Sequence, residues 1–277
     1  MDTKLLIPRQ PYQVLLTEQY LKRVVLDYGI SHFYEYRVSS GVSEIPTSVP
    51  DGCIDVMFYW SKDLNEMGAD VIGSLLRPHA VKVHIGCHYF GVRFLPGQRM
   101  LFDRVPFAEM IEQALPLENN AENRLLIEKI ATAPDFEGRI AVFMKMYLPK
   151  YIADGSNLSL EVMNQQMIKE IMERKGNVKI GELAANMGYS ERYASRMFTE
   201  HNGITPKKFC RIIRFQNALQ EIEEKCIENY QLCDIEEIGY YDEAHLIHDF
   251  KEFCGQSPVK FINELKRERL TERLKIL

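Results

Sequence analysis

Apolar residues along the chain follow two different periods. Over Phe33–Val38, Cys53–Trp60, Val81–His84 and Phe90–Leu95 they alternate or cluster in short runs rich in β-branched and aromatic side chains. Pro50-Asp51-Gly52, Gly73-Ser74 and Leu95-Pro96-Gly97 punctuate them, which predicts short strands joined by turns. Elsewhere the spacing is helical. It predicts an N-terminal arm over Val14–Tyr28 (apolar at Val14, Leu15, Leu21, Val24 and Val25), helices over Asn120–Ala131 and Glu137–Tyr151, and further helices beyond residue 180. The polar break Asp154-Gly155-Ser156-Asn157 is taken as a linker, so the expected domains are 1–155 and 156–277. The expected fold class is α+β. A small antiparallel β-barrel or sandwich with flanking helices precedes an all-α domain.

The helical part carries an internal repeat. Gly203-Ile204-Thr205-Pro206-Lys207-Lys208-Phe209 returns as Gly255-Gln256-Ser257-Pro258-Val259-Lys260-Phe261, and Phe198 upstream of the first copy answers Phe250 upstream of the second. In each copy Gly supplies a left-handed cap, Thr or Ser caps the next helix, and Pro takes its first position. Upstream of the first copy, Ile180–Gly188 reads as a short helix ending in a Gly188-Tyr189 turn. Ser190 then caps a helix over Glu191–Glu200. A short helix, a glycine turn and a second helix form the helix-turn-helix pattern, whose second helix can enter a DNA major groove. A third helix, Lys208–Lys225, joins the two units through Ile212, Phe215, Ala218, Leu219 and Ile222.

Two such units in tandem resemble the AraC/XylS family of bacterial transcription regulators. The residues that carry the resemblance are Leu183-Ala184, Gly188-Tyr189-Ser190, Ser195-Arg196-Met197-Phe198, Gly203-Ile204-Thr205-Pro206, Arg211 and Arg214, and Gly255-Gln256-Ser257-Pro258, spread over roughly residues 160–265. The resemblance implies that the positions of Arg192, Ser195 and Arg196 meet DNA bases. Pro50–Asp55 and Gly91–Gly97 resemble the cupin-like sensor domain that precedes many such regulators.

The net charge of −5 argues against a DNA binder, but its distribution argues for one. From Asn177 to Arg214 seven bases face three acids; from Phe215 to Ile262 three bases face eleven acids. Phosphate attraction supplies most non-specific affinity, so only the first unit is suited to it. The second unit is expected to be degenerate. It reaches Gly239 one residue early, carries His248 where the first unit has Arg196, and places Glu243 and Asp249 at or near the groove-facing side. The expected DNA-contacting residues are therefore Ser190, Arg192, Tyr193, Ser195 and Arg196, with Lys207, Lys208, Arg211, Arg214 and His248 at the margins. For Arg211 and Arg214, unpartnered surface arginines are an equal alternative.

Six scattered cysteines without a C-x-x-C pair fit a reduced, cytoplasmic protein, and no stretch approaches a membrane span. His84, Cys87 and His88 lack metal-cupin spacing, so no metal or cofactor is expected. Arg93, with Asp51 and Asp55 near a turn and Trp60 close by, is a candidate effector pocket. A salt bridge among the charged three is the competing reading. No nucleophile triad, phosphate loop or carboxylate pair supports an enzyme. The reading is a ligand-responsive regulator that reads DNA chiefly through its first unit. Promoter DNA and a small effector are its partners, with RNA polymerase and a second copy as further ones. The alternative is a protein-interaction adaptor that keeps the fold and has lost DNA binding.

Overall fold

The computed structural model describes residues 6–38, 47–80, 84, 86–98, 106–153, 159–226 and 239–277. Its N-terminal part is built on a seven-stranded sheet containing β1 (Tyr20–Asp27), β2 (Ile30–Arg37), β4 (Asp55–Trp60), β5 (Met67–Ile72), β7 (His88–Phe94), β8 (Ala114–Pro116) and β9 (Leu274–Ile276). The order is β8-β5-β4-β7-β2-β1-β9, and β3 (Thr47–Ser48) pairs with β6 (His79–Ala80) in a second, two-stranded sheet. All pairs are antiparallel except β1 with β9.

The expected helical arm over Val14–Tyr28 is largely wrong. Only α1 (Pro11–Leu15) is helical, and Tyr20–Asp27 is a strand paired with β2 from Tyr20 opposite Tyr36 to Val24 opposite His32. Helical and strand spacing both fit the apolar positions there, and the hairpin decides between them. Tyr28 and Gly29 both take positive φ (54° and 73°), the two-residue turn whose twist matches antiparallel strands. The expected strand Val81–His84 lies mostly outside the described residues, and His84 itself is not in a strand. The linker Asp154–Asn157 also lies outside them.

The two faces of the sheet are covered differently. Phe33, Val56, Phe58, Phe90 and Val92 pack against α2 (Ala121–Thr132) and α3 (Phe136–Ala153) through Leu126, Ile130, Phe143 and Tyr147. The opposite face carries Tyr20, Tyr34, Tyr36 and Tyr89, stacked at centroid distances of 5.0–6.1 Å. Tyr34 lies directly over Gly91, where a Cβ would come within 1.9 Å of its ring, so only glycine fits there.

That second face shares one core with the helical half. Phe198, Phe209, Phe215, Phe250 and Phe261 belong to the same apolar cluster as the stacked tyrosines. The helices there are α4 (Ser159–Glu173), α5 (Ile180–Asn186), α6 (Glu191–Asn202), α7 (Pro206–Glu221), α8 (Glu243–Cys254), α9 (Pro258–Arg267) and the short α10 (Leu270–Arg273). The repeat is realised cap for cap. Ser190 and Asp242 cap α6 and α8, Gly203 and Gly255 end them at φ 66° and 77°, and Thr205 and Ser257 cap α7 and α9. The stretch expected to hold the first helix of the second unit, Leu232–Gly239, lies outside the described residues except for Gly239.

Candidate nucleic-acid interface

Helix α6 is strongly two-sided. Ala194, Met197, Phe198 and Asn202 are buried, while Glu191, Arg192, Arg196 and Glu200 face solvent. Positions 192 and 196 share a face through four-residue spacing. The Arg196 side chain is 63 % exposed, and its nearest acid, Glu200, is 4.0 Å away. Its guanidinium lies 5.6 Å over the Tyr193 ring, which in turn stacks on Tyr189 at 5.3 Å. Ser190 is engaged as the helix cap, its side-chain oxygen accepting the Tyr193 N–H (3.3 Å). Ser195 is half-buried, and its carbonyl accepts the Thr199 hydroxyl.

The cations of α7 are disposed otherwise. Lys207 is exposed, but Lys208 is paired with Glu252 and lies 4.4 Å over the Phe253 ring. Arg211 reaches Asp249 (2.6 Å) and Glu252 (2.5 Å) on α8. Arg214 donates to the Gly176 carbonyl (3.2 Å), contacts His245 (3.3 Å) and lies 5.6 Å over Tyr240. These three residues therefore tie α7 to the second unit. Exposed and unpartnered is the wrong reading for Arg211 and Arg214.

Asp249 also departs from expectation. It is fully buried rather than groove-facing, and it accepts from Arg211 and from the Tyr240 hydroxyl (3.2 Å). Its place on α8 falls on the inward stripe beside Leu246, Phe250 and Phe253. His248 is exposed, with Nδ1 3.5 Å from Asp249. His248, Asp249 and Glu252 converge closely enough to suggest a metal, but the Arg211 guanidinium already supplies the cation.

Partial burial would raise the Glu252 carboxyl, but hydrogen bonds from Lys208 and Arg211 outweigh it and hold the group below the usual carboxylate range. Because its folded value is depressed, its stabilisation is present above the unfolded value of 4.5 and is lost as pH falls through the folded one. The expected result is that Glu252→Gln flattens the fall in melting temperature between about pH 5 and about pH 3. Parallel melts of parent and variant across that range check it.

The expected effector residues are split by the sheet. Arg93 forms a bidentate pair with Asp55 (2.7 and 2.5 Å) and lies 3.3 Å from Asp51, without hydrogen-bond alignment at that third contact. Tyr34 donates to Asp55 (2.8 Å) and Gln10 to Asp51 (2.9 Å). Burial raises the Asp55 carboxyl against the pull of Arg93. The salt-bridge reading is thus the one realised. Trp60 lies on the other face, stacked on His88 (5.6 Å) and under the Arg139 guanidinium (4.9 Å). His84 pairs with Glu66 instead of joining His88.

The sequence reading missed a second set of charges at the seam between the halves. A void of about 20 Å³ is lined by Arg9, Lys22, His32, Arg93 and Glu223, with Leu270 and Leu274 among its apolar walls. Lys22 Nζ donates to the Pro8 carbonyl (3.3 Å), and Arg9 pairs with Glu223 (3.4 Å) and Glu224 (2.8 Å). Burial, with Arg9 adding to it and Glu223 opposing, pushes the Lys22 amine well below its ordinary value. Lys22 in phase with Tyr20 and Val24 was the available signal, hidden by the helical reading of the arm.

The fold has two parts, a β-rich half joined to a helical half. Residues 183–264 match the helix-turn-helix domain family, and residues 23–116 match a domain of unknown function (DUF6597). The helical half thus carries a helix-turn-helix domain, which supports DNA binding. No curated protein matches it. Among solved structures, ToxT from Vibrio cholerae O395 is 9% identical and aligns over 84% of this chain and 96% of that one, with a TM-score of 0.43. Unsaturated fatty acid bound wild-type ToxT from strain SCE256 is 10% identical over 88% and 92%, with a TM-score of 0.37. Among the described residues, no helix is long and apolar enough to cross a membrane.

Proposed function

We propose that the chain reads promoter DNA through the exposed face of α6, with the second unit positioning that helix and adding little grip of its own. One observation carries this reading. Arg192 and Arg196 stand at solvent on one face of α6, while the cations Lys208 and Arg211 are spent on α8. Tyr193 and Ser195 border that face, and the exposed Lys207 would meet a flanking phosphate. Ser190 and His248 would make only peripheral contacts.

The test is anisotropy titration of DNA from the promoter beside the gene, repeated across salt. Each phosphate neutralised contributes a slope of about −0.9 in log affinity against log salt. A shallow slope is expected, unchanged by His248→Ala. A steep slope that falls with Lys251→Ala or Lys260→Ala would show the second unit gripping DNA. No binding even at low salt would favour the adaptor reading, which the acid-rich second unit recommends.

The N-terminal half is the sensor in this reading, and an acidic small molecule is the effector class that suits it. The stacked tyrosines fill the sheet's inner face, and Arg93 is satisfied by its own acids. Lys22, by contrast, is a buried amine on a carbonyl partner beside a void. A carboxylate entering there would compete with Glu223 for Lys22 and Arg9. Differential affinity for two arrangements of the halves would then couple it to DNA. Melting the full chain with a panel of aliphatic and aromatic monocarboxylates, beside Lys22→Met, tests this. Stabilisation of the parent that is absent in the variant is expected; equal shifts in both would remove Lys22 from the site.

A further inference from the structure

We propose that the segment Leu270–Leu277 is a releasable latch, holding the helical half against the sheet by laying β9 on the edge of β1. Its regulatory consequence rests on the DNA and effector reading above; the latch itself does not. β9 runs parallel to β1, with Leu274 opposite Tyr20, Lys275 opposite Leu21 and Ile276 opposite Lys22. The Leu277 N–H donates to the Lys22 carbonyl (2.8 Å). Arg273 donates to the carbonyls of Leu15 and Thr17 (3.1 Å each), and buried Leu270 sits at the start of α10, which lies against α1.

The attachment is specific but shallow. Lys275, Ile276 and Leu277 are exposed, so β9 buries little apolar surface and is held by backbone bonds worth about 0.5–1.5 kcal/mol each. Elements held in this way open at the low end of a protein's stability range. β9 is nevertheless tightly geared to the second unit. Only Glu268 and Arg269 separate α9 from α10, and Arg269 turns the chain at φ 53°. Movement of β9 is therefore passed to α9.

The same segment walls the charged void. Leu270 and Leu274 line it together with Lys22, and about 20 Å³ holds no organic molecule. Its other walls belong to the sheet, to α1 and the segment before it, or to the turn after α7. Gln216 accepts the Arg9 N–H (2.7 Å) and donates to the Pro50 carbonyl (2.7 Å), and Gln220 accepts the Ile7 N–H (3.0 Å). Of these walls, 274–277 has the least holding it. A ligand enlarging the void displaces it first, unpairing β9 and loosening the second unit from the sheet. The first unit has its own tie, since Ile111 and Ala108 pack on Gly203 at the end of α6. Because α7 follows α6 and is ion-paired to α8, freeing the second unit from the sheet leaves only the first tie restraining α6, and that should favour binding.

The test uses the full chain, the double variant Lys275→Pro with Leu277→Pro, and a chain ending at Arg273 that keeps buried Leu270. Amide exchange and DNA affinity are measured on all three. Exchange across 6–16 and 207–221 should quicken together by about tenfold or more in both variants while β2 and β7 stay protected. DNA affinity should rise about fivefold or more. Quickening confined to 20–22 would overturn the latch, because the seam would then hold without β9. Loss of protection throughout β2 and β7 would overturn it as well, making β9 a staple of the fold. An opened seam with unchanged or weaker DNA binding would overturn the restraint on DNA. An opened seam with no DNA binding by any of the three chains would leave the latch standing and sink the DNA reading instead.

Discussion

Replacing Arg211 with methionine should cost about 3–5 kcal/mol of stability while leaving the salt dependence of DNA binding unchanged. The cost arises at Asp249, which is fully buried and would lose its charged partner. Methionine preserves most of the volume over Phe253, where the Arg211 guanidinium sits 5.2 Å from the ring centroid, so packing loss adds little. The Tyr240 hydroxyl and His248 still reach Asp249, which places the effect toward the lower end of that range. Urea unfolding gives the stability and anisotropy across salt gives the slope. If stability holds while the slope loses about one phosphate, Arg211 grips DNA and its pairing with α8 is incidental.

The helical half was legible because its information is local. Gly203, Thr205 and Pro206, with their counterparts Gly255, Ser257 and Pro258, fix caps through φ and side-chain oxygens a few residues away, and the structure realises each of them. The strands over Phe33–Val38 and Phe90–Leu95 were readable for the same reason, since alternation is a local signal. What stayed hidden depends on partners far along the chain. Tyr20–Asp27 is a strand through its hairpin with β2, but its other edge is covered by β9, which lies some 250 residues away. Asp249 reads as one more acid on a helix until Arg211 and Tyr240 are seen to close over it. Lys22, Arg9 and Glu223 come from three segments and meet only when the halves dock. Arg93 with Asp51 and Asp55 was visible as a group of charges, but composition does not distinguish a satisfied ion cluster from a pocket. The shared core also couples the halves: tyrosines of the sheet and phenylalanines of the helices form one cluster.

For Arg196→Ala the expected loss is about 1–3 kcal/mol of DNA affinity, with relaxed preference at one base pair and little change in stability. The side chain is 63 % exposed and its contact with the exposed Glu200 is long, at 4.0 Å, so its removal leaves no buried charge behind. Stacking over Tyr193, itself stacked on Tyr189, limits the guanidinium's freedom before DNA arrives, which lowers the ordering cost of a bidentate contact to guanine. A pure phosphate contact would behave differently, because affinity would fall equally for every sequence and the salt slope would become shallower. Titrating Arg196→Ala against the operator and against single-base variants therefore separates the two roles. Arg192→Ala in the same assay shows which of the two arginines reads and which holds. Unchanged affinity and unchanged specificity in Arg196→Ala would remove α6 from base readout and, with it, the reading that assigns this chain's DNA recognition to its first unit.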